Sequence, residues 1–386
     1  MRDFWAEVKS FFRKGDMVLL VLCLAASAFS CIMVASATNG RSSGFTRFLV
    51  VQGGAAVLGI VMYIFMSSID VDFFSEHRTI LAAFNIGLIL LLVPFGVDYG
   101  SGNKSWLDIG LPIALQPAEI CKIFYILIMA SVMASHQNQL SKPMSVFHMC
   151  FHLAILAGLN LVISGDLGVT LIFVFVFAAM VFTGGVHMIW FGIAGIGLAT
   201  VGPVFWNNIM SDNQKNRILV LIWPDKIDPT GLKERWHLTE SLKSLTGGGM
   251  LGQGLFNGNR TQANQLQAQH TDFIFSAIGE ELGFMGCFLV LFLLLAIVAR
   301  CIWVGKRSKD YMRRMICFGA AAALIFQILV NVGMCMGVMP VIGLTLPLIS
   351  YGGSSVVSIY AMLGLVSGVH ARPAPRSHER YIRPPR

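Results

Sequence analysis

The sequence predicts an all-α, polytopic membrane protein with ten transmembrane helices and a large extracytoplasmic loop between helices seven and eight. Composition is the first observation behind this prediction, because 55% of the 386 residues are hydrophobic and only 12% are charged, whereas about a quarter of a soluble domain is charged. The second is a series of long apolar runs, and the third is the clustering of Lys and Arg beside them. We therefore expect one integral membrane domain, 1–386.

The apolar runs set the number of membrane spans, since a helix needs about 20 apolar residues to cross a bilayer core. The runs that reach this length are 17–37, 47–67, 79–97, 117–135, 146–163, 166–183, 187–206, 273–299, 314–338 and 344–370. No cleavable signal pattern is found, so the first run is expected to be a retained span. The fifth and sixth runs are separated only by a tight turn around Gly165.

Charge orients the chain. Four Lys/Arg residues lie in 1–16, six in 300–314 and five in 371–386. With an even number of spans these three clusters fall on one side, and the positive-inside rule makes that side the cytoplasm. The tails 1–16 and 371–386 are therefore expected to be cytoplasmic. Because the net charge of +8 is concentrated beside apolar runs, no nucleic-acid partner is expected.

The segment 207–271 is the large loop, and it faces the exterior in this topology. Its stretch "TGGGMLGQGLFNGN" at 246–259 contains too much glycine for one regular helix. The stretch "WHLTESLKSL" at 236–245 is amphipathic and suits a helix lying on the bilayer surface. Loops longer than about 15 residues are usually functional or disordered. We expect an ordered extracytoplasmic cap.

Charged residues inside apolar runs are candidates for function, because a charge at mid-bilayer costs about 2.5 to 3.5 kcal/mol. In "LQPAEICK", Glu119 and Lys122 are three residues apart and share a helix face, which allows an ion pair. Alternatively Pro117 starts the helix and Glu119 complements its dipole, which leaves Lys122 unexplained. Gln116, at the helix start, joins the pair as a candidate substrate contact.

Two further polar stretches leave alternatives open. Asp166 lies at the turn into the sixth run, where it serves either as a helix cap or as a site residue. The stretch "PLISYGGSS" at 347–355 contains Ser350 at the outer start of the tenth run. Its small residues let a ligand approach closely or let helices pack closely.

Asp272 lies at the outer start of the eighth run, a position typical of a helix N-cap. Glu280 lies about 12 Å deeper if the segment is helical, and Glu281 points to the other side. At least one of these carboxylates must face protein or water rather than lipid. Capping does not explain them, whereas a polar cavity that opens to the exterior beneath the loop does.

The cysteines show no metal-ligand spacing, and no zinc motif or nucleotide-binding glycine loop is found. Because they lie in or beside apolar runs, we predict that they pack in the membrane domain. They are Cys23, Cys31, Cys121, Cys150, Cys287, Cys301, Cys317 and Cys335.

Five stretches, in order along the chain, carry a family resemblance. They are "WLDIGLPIALQPAEICK" (106–122), "SGDLG" (164–168), "GGGMLGQGL" (247–255), "HTDFIFSAIGEELGFMG" (270–286) and "NVGMCMGVMPVIGLTLPLISYGGSS" (331–355). With these motifs the chain resembles the SEDS proteins (shape, elongation, division and sporulation), which include RodA, FtsW and SpoVE. The resemblance covers essentially the whole chain, and the short tails are more typical of RodA.

The resemblance implies an inverting peptidoglycan glycosyltransferase in the bacterial plasma membrane that polymerises lipid II through β-1,4 linkages. It also implies a class B penicillin-binding protein, a transpeptidase, as partner, together with other elongasome or divisome membrane proteins. The family's essential loop aspartate matches Asp272, and its sensitive cavity positions match Glu119, Lys122 and Asp166. Three motifs depart from the family pattern. The departures are at Ser164, Gly165, Arg235, Trp236, His237, Glu240, Ser241, Gln267 and Ala268.

The chemistry of glycosyl transfer suggests a role for each candidate site residue. The acceptor hydroxyl needs a base, and at the rim of an apolar cavity desolvation would raise the pKa of Asp272 toward a useful range. The leaving pyrophosphate needs positive charge, for which Lys122, Arg217 and a divalent cation (Mg²⁺ or Mn²⁺) are candidates. Glu280 and Ser350 are further candidate substrate contacts. The alternatives are a lipid II flippase and a non-catalytic scaffold for a transpeptidase.

Overall fold

The computed structural model describes residues 14–39, 45–98, 103–108, 110, 114–232 and 234–372. Most of the two predicted cytoplasmic tails lies outside these residues. The helices are α1 (Met17–Thr38), α2 (Phe45–Ser68), α3 (Val71–Glu76), α4 (Arg78–Leu90), α5 (Leu92–Phe95), α6 (Pro117–Ser135), α7 (Pro143–Ser164), α8 (Leu167–Thr183), α9 (Ile189–Asn208), α10 (Asp212–Leu219), α11 (Pro224–Ile227), α12 (Glu234–Gly247), α13 (Asn259–Gln262), α14 (Ile274–Arg307), α15 (Tyr311–Cys335) and α16 (Gly353–Ala371).

Strands are confined to one small hairpin in the described part of the chain. The strands β1 (Gly96–Val97) and β2 (Trp106–Leu107) pair antiparallel, with Gly96 opposite Leu107. A single bridge then joins Leu107 to Leu115, just before α6 begins. The hairpin therefore holds the entry to α6 at one end of the helical bundle.

Each predicted apolar run coincides with a helix, which confirms the all-α polytopic fold. Within the described residues, nine helices are long and apolar enough to cross a bilayer, with α4 and α5 counted as one span over Arg78–Phe95. The tenth apolar helix, α8, has 17 residues, which is at the lower end of what a bilayer core requires.

The start of the last span differs from the prediction. We expected it at 344, but α16 begins at Gly353, and residues 344–352 form an irregular turn. Pro347 has no backbone N–H for a helix, and Leu348 adopts a left-handed conformation with φ of 61°. This turn faces the loop before α14 and becomes part of the site described below.

Helix α14 is broken at Gly283, which has φ of 65° and ψ of −162°, a conformation open essentially only to glycine. The glycine-rich loop lies against this break: Gln253 N–H donates to the Glu280 carbonyl at 2.9 Å, and Phe284 N–H donates to the Gly249 carbonyl at 2.9 Å. A side chain at Gly283 or Gly252 would overlap backbone atoms of the other segment. The glycines of "GGGMLGQGL" thus permit backbone-to-backbone contact.

The long loop is an ordered cap, as predicted, built from α10 to α13 and the turns between them. The predicted amphipathic segment is helical, as α12. However, α12 packs against α14 rather than lying on the bilayer, since Glu240, Ser241 and Ser244 are buried and Ser241 Oγ lies 2.6 Å from Ser276 Oγ. The polar face of the stretch is therefore its protein-facing side.

The most buried helices are α6, α15 and α16, whereas α9 contains no fully buried residue and contacts the core through partly buried residues such as Trp190 and Phe191. The ends of α1 and α16 lie together, because Asp16 N–H donates to Ser367 Oγ at 3.0 Å. Arg300, near the end of α14, joins them through Asp16 at 2.9 Å. The start of α1, the end of α16 and the basic cluster 300–314 thus lie at one end of the bundle.

Six cysteines are buried, as the packing prediction requires, whereas Cys31 is partly exposed and Cys150 is exposed on the helix surface. All eight are free thiols.

Candidate active site

A cavity of about 970 Å³ lies between the loop and the adjoining ends of the bundle helices. Its walls come from the segment before α6, the starts of α6 and α8, the loop, and the turn 341–352 with the start of α16. Of the predicted site residues, the cavity is lined by Gln116, Glu119, Asp166, Arg217 and Asp272. Lys122, Glu280 and Ser350 do not line it.

Asp272 lies on the cavity wall and is partly exposed to it. The predicted N-cap role is wrong, because α14 begins at Ile274 and its cap position is occupied by Phe273. The backbone of Asp272 is instead fixed by α15: Asn331 Nδ2 donates to the Asp272 carbonyl at 2.8 Å and to the Leu344 carbonyl at 2.7 Å. The carboxylate is therefore carried on an anchored backbone while its side chain faces the cavity.

The turn 344–352 provides the second anchor. Ser350 Oγ donates to the Thr271 carbonyl at 2.5 Å and accepts from Leu346 N–H at 2.8 Å. The N–H of Tyr351 donates to the His270 carbonyl at 2.9 Å. Ser350 is only 3% exposed, so it holds the segment that carries Asp272 and does not contact a ligand in the cavity.

Burial raises the pKa of Asp272 to about 6, and the nearby negative charge of Asp166 adds to the rise. The positive charge of Arg217 and a hydrogen bond from Thr271 act in the opposite direction. A carboxyl group with a pKa of about 6 is ionised at neutral pH and is a far better proton acceptor than an aspartate in water. Asp272 therefore has the electrostatic environment of a general base.

The predicted ion pair forms at the edge of the cavity, with Glu119 lining it and Lys122 outside the lining. Lys122 Nζ donates to Glu119 Oε2 at 2.8 Å and lies 3.4 Å from Gln327 Oε1. Ser358 Oγ also donates to Glu119 Oε2, at 2.9 Å. Glu119 and Lys122 are 5% and 2% exposed. Because their charges are opposite and adjacent, the pair adds almost no net charge to this side of the cavity.

Asp166 combines the two roles that the sequence left open. It caps α8, since Val169 N–H donates to Asp166 Oδ1 at 3.1 Å, and it also lines the cavity. Its second oxygen accepts from Ser105 Oγ at 3.4 Å.

The structure does not bring Glu280 to the cavity, and the inference that buried glutamates mark a cavity is wrong for this residue. Its oxygens accept from Arg260 N–H at 2.8 Å, Thr261 N–H at 3.0 Å and Thr261 Oγ1 at 2.7 Å. Glu281 accepts from Ser36 Oγ at 2.5 Å and Gln262 Nε2 at 2.8 Å. Both glutamates are thus buried anchors for α13 and the glycine-rich loop.

Sequence reasoning missed the aromatic part of the wall, which is formed by Trp106, Trp236, His237, Phe273 and Tyr351. His237 stacks on Phe273, with ring planes 13° apart and centroids 6.0 Å apart. Trp236 and His237 belong to the loop stretch that departs from the family pattern, and this departure was the available signal. Flat apolar rings beside carboxylates and a guanidinium suit a ligand that is partly sugar and partly anion.

No group of three or more His, Cys, Asp or Glu side chains with metal-site geometry occurs among the described residues. The cavity does offer the carboxylates of Asp166 and Asp272. Because Asp272 is the candidate base, Asp166 is the carboxylate left for Mg²⁺, which proteins often bind through one carboxylate together with phosphate oxygens of the substrate.

Fold and site together define a class: a multi-pass membrane protein with a charged, aromatic-walled cavity beneath an ordered loop. The chain belongs to the FtsW/RodA/SpoVE family of cell cycle proteins, whose model matches residues 16–374.

Two relatives and one solved structure illustrate the similarity. Peptidoglycan glycosyltransferase MrdB of Escherichia coli K12 is 29% identical over 371 residues, covering 96% of this chain and 95% of that protein. A probable peptidoglycan glycosyltransferase FtsW of Idiomarina loihiensis is 30% identical over 370 residues, covering 94% and 88%. The structure "Structural coordination of polymerization and crosslinking by a peptidoglycan synthase complex" matches with a TM-score of 0.78, 27% identity and coverage of 93% and 98%.

Proposed function

We propose that this protein is a peptidoglycan glycosyltransferase that polymerises lipid II, with Asp272 as the general base. The observation that carries the proposal is Asp272 itself: an anchored, partly buried carboxylate with a pKa of about 6, facing a cavity of about 970 Å³. Family membership and the relatives' names support the activity. The role of Asp272 is our inference from its geometry and chemistry.

In the proposed reaction the 4-hydroxyl of the acceptor sugar attacks the anomeric carbon of the donor. A new carbon–oxygen bond forms while the bond to the polyprenyl pyrophosphate breaks, with inversion at that carbon. The hydroxyl proton passes to Asp272, because an alcohol is a poor nucleophile until its proton is being removed. The departing oxygen takes the bonding electron pair as negative charge on the pyrophosphate.

Arg217 is the best-placed group to stabilise that charge. It lines the cavity and acts electrostatically on Asp272, and a guanidinium matches phosphate oxygens with two parallel hydrogen bonds. Lys122 does not line the cavity, and its amine is bonded to Glu119 and Gln327, so it is less well placed than Arg217 to contact the pyrophosphate. A divalent cation, if bound, would be held by Asp166 with the pyrophosphate oxygens and would supply further positive charge, which leaves Asp272 free to act as the base.

The partner and the orientation belong to the same proposal. A class B penicillin-binding protein would crosslink the strands, which agrees with the solved relative that couples polymerisation and crosslinking. Other elongasome or divisome membrane proteins complete the expected assembly. The basic end of the bundle is assigned to the cytoplasm of a bacterial cell by the positive-inside rule. The cavity then opens outside, where lipid II is displayed after flipping.

Purified protein in detergent, given labelled lipid II, tests the function. We expect glycan strands with the wild-type chain and none with Asp272→Asn, provided that thermal unfolding of the two proteins is alike. Because the substrate is supplied in detergent, a flippase or a scaffold would give no strands with either protein. Strand formation by Asp272→Asn at the wild-type rate would remove Asp272 from the reaction.

A further inference from the structure

Gln52 is a buried polar residue in the first third of the membrane-spanning helix α2 (Phe45–Ser68). It is only 2% exposed, and α2 otherwise consists almost wholly of apolar and small residues. An amide inside a membrane is expensive unless its donors and acceptor are satisfied. Its presence therefore calls for a specific set of partners.

Those partners lie on the turn before α16 and on α1, which contains Ser30. Gln52 Nε2 donates to the Ser350 carbonyl at 3.2 Å and to Ser30 Oγ at 2.8 Å. The Gly352 N–H donates to Gln52 Oε1 at 3.3 Å. Ser30 Oγ in turn donates to the Ile349 carbonyl at 2.6 Å. Gln52 thus bonds directly to Ser350 and Gly352, and through Ser30 it is linked to Ile349.

The same turn holds the segment that carries Asp272. Ser350 donates through its hydroxyl to the Thr271 carbonyl at 2.5 Å, and Tyr351 donates through its N–H to the His270 carbonyl at 2.9 Å. One helical turn before Gln52, the ring of Phe48 contacts those of His270 and Tyr351, each with a centroid distance of 4.9 Å. The face of α2 that carries Phe48 and Gln52 therefore packs on two segments: the one that carries Asp272 and the turn before α16.

We propose that Gln52 is a positioning residue for Asp272. Through Ser350 and Thr271 it fixes the position of the carboxylate in the cavity. Gln52 does not line the cavity, so it acts on the reaction only through the turn. The inference rests on the proposed function, because Asp272 matters as a base only if the protein transfers sugars. A displacement of about 1 Å in a catalytic group lowers rates about a hundredfold.

The test compares purified full-length Gln52→Met with Asn85→Leu. Asn85 is a matched control, since it is also a buried amide of a membrane helix, 2% exposed, but it bonds to the Cys121 carbonyl on α6 and not to the turn. We expect Gln52→Met to lower kcat for lipid II polymerisation about ten- to a hundredfold with little change in KM. Asn85→Leu should lose thermal stability while keeping the wild-type kcat.

Amide hydrogen exchange supplies a readout that does not depend on activity. Gln52→Met should speed exchange in residues 268–273 and 350–352, and Asn85→Leu should leave both segments unchanged. Unchanged exchange in Gln52→Met, or equal losses of kcat in the two variants, would overturn the positioning role. If the wild-type protein makes no strands and yet exchange rises as expected, the contact network is correct and the proposed function is the part that fails.

Discussion

The amine of Lys122 lies 2.8 Å from Oε2 of Glu119, and both side chains are almost fully buried, with Glu119 at the cavity wall and Lys122 outside the lining. Removing one partner of such a pair leaves an uncompensated buried charge and costs about 3 to 5 kcal/mol, whereas replacing both is often neutral. We therefore predict that Lys122→Met lowers the thermal stability of the purified protein strongly. The double variant Glu119→Gln with Lys122→Met should recover most of that stability.

The double variant also separates structure from chemistry. If the pair serves only to fold the cavity floor, strand formation should return along with stability. We expect it to stay low, because Glu119 lines the cavity. Full recovery of polymerisation in the double variant would contradict a direct role for Glu119.

The pH dependence of polymerisation follows from the pKa of Asp272, which burial raises to about 6. The base must be ionised, so kcat/KM should fall about tenfold per pH unit below this value and reach a plateau above it. Asp166→Asn removes a neighbouring negative charge that raises this pKa, so its profile should shift to lower pH. Profiles measured with labelled lipid II in detergent would coincide if Asp166 and Asp272 were not coupled.

Arg217→Gln should act in two ways. Loss of the positive charge near Asp272, which lowers the aspartate pKa, should move the acid limb to higher pH. If Arg217 donates to the leaving pyrophosphate as proposed, its loss should lower kcat about a hundred- to a thousandfold, which corresponds to about 2.7 to 4 kcal/mol of transition-state stabilisation. Lys215→Gln is the matched control, because Lys215 is on the same helix and pairs only loosely with Asp212 at 3.9 Å.

A normal kcat in Arg217→Gln, with the shift in the pH profile still present, would assign pyrophosphate stabilisation to another group. The shift itself tests the electrostatic contact between Arg217 and Asp272. Lys215→Gln should change neither quantity, since Lys215 does not line the cavity.

Local patterns predicted the helices and the family motifs well, because apolar length and spacing depend on the chain alone. They predicted Gln116, Glu119, Asp166, Arg217 and Asp272 as site residues, and all five line one cavity. They failed where a residue's role depends on a partner distant in sequence. Glu280 is bonded by Arg260 and Thr261, and Ser350 by Thr271, 79 residues away, so neither could be assigned from its own neighbours.

The irregular start of α16 has the same origin. Residues 344–352 are apolar enough for a span, but a single local turn forms at Leu346, and the backbone of 350–352 then bonds to Gln52 and His270. Hydropathy records the apolar side chains and contains no information on these partners. Gln52 and Asn331 did carry a usable signal, since each is an amide inside an apolar run.

Glu280→Gln tests the revised role of this glutamate as an anchor of the loop. The carboxylate accepts three hydrogen bonds from Arg260 and Thr261, and an amide offers only one accepting atom with its NH₂ group turned toward donors. Leaving a buried donor unsatisfied costs about 1 to 3 kcal/mol, so we expect a lower unfolding temperature and faster proteolysis between 248 and 268. Asp225→Asn is the control: Asp225 is 86% exposed and pairs with Arg235 on the surface, where ion pairs contribute about 0 to 1 kcal/mol. Since Glu280 does not line the cavity, KM for lipid II should stay close to the wild-type value while the unfolding temperature falls. A raised KM in a variant whose loop resists proteolysis like the wild type would return Glu280 to the substrate site.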